Sequence, residues 1–168
     1  MATKAPKPLI EDFISKIYDG EAKANLLKFI AYLREKKMSP QWLGYQSWKI
    51  SSKTYTVCYF KSPSGTGDSL LVIPCIGEYN GDILSDKYKE IVWSKKKTCG
   101  SCKGGICFPK IHKIFGKEYD NACAASIVFN SPNAEEIECI KKMIEIRRNA
   151  IIEGNVKKHK YIAIKNRQ

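Results

Sequence analysis

Two histidines in 168 residues, and no apolar run near the roughly 20 residues that a bilayer crossing takes, are what this sequence most conspicuously lacks. With so few imidazoles, neither beside a nucleophile signature, a Ser–His–Asp set has nothing to be built from. No Gly-Lys-Ser or Gly-Lys-Thr follows the glycine-containing stretch Ser62–Asp68, and a strand rather than a helix is expected after it, so it is no phosphate cradle. No carboxylate pair stands out for acid–base work. Internal repeats and low-complexity blocks are missing too. The start, Met1 to Pro8, leads into an amphipathic segment with acids instead of a signal peptide, so a cytoplasmic location is expected, with no membrane partner. These absences point to binding rather than catalysis.

What is present is sulfur, positive charge and a globular composition. A hydrophobic fraction of 43% fits one domain able to bury its own core. We read residues 1–154 as that domain, with a cysteine-rich insertion at about 94–118 and a basic tail over 155–168. Seven cysteines in a reducing compartment are thiols and metal ligands rather than a disulfide framework. The net charge is +12, unevenly placed: +3 over residues 1–84, +6 over 85–118, −4 over 119–140 and +7 over 141–168. The excess around the cysteines and in the tail attracts polyanions, nucleic acid among them.

Cys99-Gly-Ser-Cys102-Lys-Gly-Gly-Ile-Cys107-Phe-Pro-Lys-Ile-His112 brings three thiols and an imidazole into one short stretch, spaced C-x2-C-x4-C-x4-H. Its glycines let the backbone bend until the ligands converge, and converging thiolates complete a tetrahedral zinc shell. The fourth ligand is His112 or Cys123, the latter at the head of the next apolar run. Over these residues the spacing resembles that of the zinc knuckle, with Cys107 where the knuckle has His and His112 where it has Cys. The resemblance implies a small metal loop that binds nucleic acid. Around it Lys95, Lys96, Lys97, Lys103, Lys110 and Lys113 are the expected phosphate contacts, and Phe108 a stacking group.

Two other readings compete. Cys99-Gly-Ser-Cys102 is a CxxC beside three lysines that would lower a thiol pKa, the pattern of a thiol redox sensor. Gly104-Gly105, however, opposes the helix that thioredoxin-type chemistry wants. The other rival is a small anionic ligand, bound in a pocket between the first hairpin and the last helix and lined by Trp48, Tyr55, Tyr59 and Arg147. Arg147 falls in the middle of an apolar helix face. There it either anchors an anion or packs its stem while its head escapes to solvent.

Hydrophobic periodicity gives the order of elements. Helices are expected over 9–18 and from Asp19-Gly20 to about Lys37, ended by Ser39-Pro40. Strands follow at Tyr45–Ile50, Thr54–Lys61 and Leu70–Ile76, then a short helix at Asp86–Trp93. Asp120-Asn121 reads as a turn before a buried strand at Ala122–Phe129. The longest helix starts after Ser131-Pro132 and ends at Gly154, with a short strand expected at Tyr161–Ile164. This is an α+β domain, with helices on one face of a mainly antiparallel sheet. The patterns at Trp48–Phe60, Leu70–Ile76 and Ile127–Arg147 resemble the YdhG-like small α+β domains, which share two leading helices, a three-strand meander and a final strand–Pro–helix. That resemblance implies a fold and no site residues.

Overall fold

The computed structural model describes residues 7–62, 68–74, 79, 83–98 and 110–156, with the side chains of 97–98, 110–112 and 120–126 outside the description. The chain is an α+β protein, and its described residues form four helices and one antiparallel sheet. Helices α1 (Ile10–Ile17) and α2 (Gly20–Glu35) come first, as their 3- and 4-residue apolar spacing dictates. Asp19 takes the N-cap of α2 but its side chain makes no capping bond. Strands β1 (Ser39–Gly44), β2 (Ser47–Ser52), β3 (Tyr55–Lys61) and β4 (Leu70–Ile73) follow, then α3 (Asp86–Ser94). Strands β5 (Lys96–Thr98), β6 (Lys110–Ile114) and β7 (Lys117–Asn130) and helix α4 (Ala134–Ile152) complete the described part. The expected strand at Tyr161–Ile164 lies outside the described residues.

Strand order is β1-β2-β3-β4-β7-β5, with β6 pairing β7 as well. Register explains the core. Trp48 of β2 faces Phe60 of β3, Phe60 faces Leu71 of β4, and Leu71 faces Phe129 of β7. Side chains directly opposite share a face of the pleat, so these four form one buried row across four strands. Phe13 of α1 meets Trp48 with ring centroids 4.9 Å apart, and Tyr18, just beyond α1, meets Phe60 at 6.5 Å. That sets the first helix over the row. Ile137, Ile140, Met143 and Ile144 of α4 join the same continuous core.

Three expectations are corrected. First, Ser39-Pro40 was expected to be only a helix stop, yet it opens β1. Pro40 is tolerated there because β1 is an edge strand, where a missing N–H breaks no ladder. The hairpin turn is Tyr45-Gln46, both at positive φ (47° and 53°), a conformation usually signalled by Asn or Gly. Second, β5 and β6 are lysine-rich stretches that read as part of a loop insertion. Lysine is a usual guard of sheet edges, and β5 ends the sheet. Third, Asp120-Asn121 is no turn but lies within β7. Against β6, β7 advances three residues from Tyr119 to Ala122 while its partner advances two, a bulge.

Helix α4 follows Ser131-Pro132 as expected, with Asn133 as its N-cap. Asn133 accepts from the Glu136 backbone N–H at 2.9 Å, and Glu136 accepts from the Asn133 N–H at 3.1 Å. This reciprocal capping box fixes the frame of the whole helix.

Candidate metal loop and the surfaces around it

Cys99, Cys102 and Cys107 lie outside the described residues, as do Lys103 and Phe108, so their convergence is not on view. What the backbone does place is the frame of that segment. Thr98, last residue of β5, pairs with Ala122 of β7. Lys110, first residue of β6, pairs with the same Ala122. A strand residue has one partner on each edge, so β5 and β6 flank β7 on opposite edges. The two ends of segment 99–109 are therefore about two strand spacings apart, roughly 10 Å.

Both fourth-ligand candidates belong to this frame. Cys123 follows Ala122 directly in β7. Between its pairings with Ile127 and Ala122, β5 advances two residues while β7 advances five, so Cys123 falls in a bulge of β7. His112 pairs with Tyr119, farther along the β6–β7 hairpin. Among the described residues no group of three His, Cys, Asp or Glu side chains is placed to hold a metal.

The basic surface is partly neutralised. Lys87 pairs with Glu135, and Lys95 with Glu136 at 2.6 Å, so the acidic first turn of α4 compensates one lysine at each end of α3. Lys89, buried, pairs with Asp86 at 2.9 Å. Lys95, expected to meet phosphate, thus has its charge occupied by the capping residue of α4. Farther on the balance changes. Lys113 is exposed, and exposed Lys117 lies 5.3 Å from the Trp93 ring centroid and 5.8 Å from that of Tyr119. Lys96 and Lys97 sit on β5 and Lys110 on β6, either side of β7.

The four residues expected to line a pocket lie in or against the core of the sheet. Arg147 is 2% exposed, and its Nε donates to the Thr56 carbonyl of β3 at 2.6 Å. Its head does not escape to solvent, which corrects the expectation that only its stem packs. Burial lowers its pKa to about 10, against a smaller opposing effect from Tyr59. Trp48 is core and Tyr59 is buried, while Tyr55 is half-buried. A cavity is described elsewhere, between the start of α1, the last turn of α2 and β1, and of the four only Trp48 lines it. Its other walls include Pro40, Trp42 and Leu43 of β1, a strand hidden in the sequence behind the helix stop at Ser39-Pro40.

Two thiols are described and both are inert. Burial alone pushes Cys58 far above the ordinary thiol range, and it pushes Cys139 up to about 12, helped by Glu136 and Glu135. Neither suits a redox role.

No helix among the described residues is long and apolar enough to cross a membrane. No protein family, no curated protein and no solved structure matches this chain.

Proposed function

We propose that this chain is a non-catalytic basic α+β domain whose insertion is a structural zinc loop that binds a polyanion, nucleic acid being the class its spacing and charge fit. Cys99, Cys102 and Cys107 supply three sulfurs, and Cys123 or His112 the fourth ligand. The observation that carries the reading is the fastening of both ends of segment 99–109 to Ala122. That frame sets Cys123 next to the anchor of the segment holding the other three cysteines, and this favours it over His112. A metal bound there ties an insertion into the strand that organises the sheet. Lys96, Lys97, Lys103, Lys110 and Lys113 then offer phosphate contacts, and Phe108 a base-stacking face.

Elemental analysis of protein purified without added metal tests the first half. About one zinc per chain is expected for a four-ligand site. Cys123→Ser should lower that content, and His112→Ala should leave it. Metal-free protein with all loop cysteines alkylated at once overturns the loop. The second half is tested by titrating a single-stranded oligonucleotide at several salt concentrations. Affinity should fall about tenfold or more between roughly 50 and 200 mM salt; a flat response removes the polyanion.

A further inference from the structure

A cavity of about 460 Å³ opens between the start of α1, the last turn of α2 and β1, within the range of roughly 300–1,000 Å³ typical of small-molecule sites. We propose that it binds a planar aromatic carboxylate. This proposal uses none of the sulfur loop and stands or falls apart from it.

The apolar half of the argument is Trp42. Its half-buried ring crosses the buried Trp48 ring edge-on, with centroids 4.6 Å apart. Trp48 is itself held by Phe13 and Phe60 at 4.9 and 5.7 Å. A ring backed by core in this way is already ordered, so a ligand stacking on it costs little further side-chain entropy. Leu9 and Leu43, at 58% and 54% exposed, stand beside it in the same lining. Large apolar side chains left in water around a recess are relieved by an apolar occupant.

The polar half is Arg34. Its Nε and Nη2 donate to the two Glu11 oxygens, the latter at 3.0 Å. Hydrogen bonding to Arg34 is the main reason Glu11 ionises below the ordinary carboxylate range. A guanidinium fork has five N–H donors, so this pair fixes the group's orientation without exhausting it. Lys7 adds a second cation to the lining. With Glu11 spent on Arg34 the recess is net positive, which selects an anion. A single planar carboxylate suits a site whose anion must share Arg34 with Glu11, whereas a phosphate dianion meets more repulsion from that acid.

The test uses the full chain, labelled for NMR, with 1-naphthoate as probe. Neutral 1-naphthalenemethanol, octanoate and phenyl phosphate are the comparisons. Saturable binding of naphthoate below about 1 mM is expected, moving the Trp42 indole N–H. The alcohol and octanoate should each bind about tenfold more weakly or worse, since each lacks one half of the recognition. Phenyl phosphate should also fall behind naphthoate; if it binds more tightly, the carboxylate assignment is overturned. Trp42→Leu should weaken naphthoate by about tenfold, and Arg34→Gln by several-fold. No saturation by about 10 mM, shifts confined to another surface, or equal binding of acid and alcohol overturns the proposal. Should Trp42→Leu fail to fold, the ranking of probes and the Trp42 signal in the unmodified protein decide.

Discussion

Arg147 offers a quantitative test of how α4 is held to the sheet. Placing a guanidinium where it is 2% exposed, so that its pKa falls from 12.5 to about 10, makes the cation less favourable in the fold than in water by roughly 3 kcal/mol. The bond to the Thr56 carbonyl returns part of this, about 1.5–3 kcal/mol for a charged donor. Arg147→Met keeps most of the volume, abolishes the desolvation cost and leaves the Thr56 oxygen unmatched. These changes nearly cancel, so its stability should stay within about 1 kcal/mol of the parent. Arg147→Ala keeps the same loss of bond but opens a void, and should cost about 3 kcal/mol. Urea unfolding at pH 7, with equal m-values for the variants, measures both. The pH dependence supplies a sign. Between pH 10 and 12.5 the unfolded chain holds a proton that the folded chain has released, so the parent gains stability relative to Arg147→Met as pH rises through that window. If Met costs as much as Ala, the balance drawn here is refuted.

Three further outcomes are expected. Asn133→Ala removes the cap of α4 and should lower stability by about 1 kcal/mol, read as a shift in urea midpoint. Tyr18→Phe removes a hydroxyl that donates to the Asp68 carbonyl at 2.7 Å and lies 3.1 Å from the Ser62 hydroxyl; it should cost about 1 kcal/mol, read from urea unfolding. Cys58 and Cys139 should resist alkylation at pH 8 in the folded protein and react only on unfolding, followed by mass spectrometry, because burial holds both thiols protonated. Rapid labelling of either in the native state contradicts the packing described for β3 and α4.

Much of the architecture could be read from residue patterns alone. The 3- and 4-residue spacing over Ile10–Ile17 and along α4 made helices inevitable once a sheet was available to cover, and the aromatic and β-branched run Tyr55–Lys61 made a central strand. These signals are local, so tertiary context had only to agree with them. Elsewhere the local signal misled. Pro40 looked like a helix stop, the lysines of β5 and β6 looked like loop, and Asp120-Asn121 looked like a turn. Each is an edge or bulge feature whose conformation is set by a partner strand rather than by its own propensity.

The candidate sites divide along the same line. Sequence spacing by itself names the candidate sulfurs and histidine, because a ligand pattern is a matter of residue types at short intervals. That Thr98 and Lys110 share Ala122 is a fact of register between strands far apart in the chain, and no spacing rule contains it. The fate of Arg147 was equally closed to inspection of α4 alone, since a helical wheel reports a face and not the carbonyl waiting opposite it. Likewise the recess beside Trp42 exists only where α1, α2 and β1 converge. Short-range covalent order settled which groups are present and which segments coil or extend; long-range packing alone decided which of those groups meet.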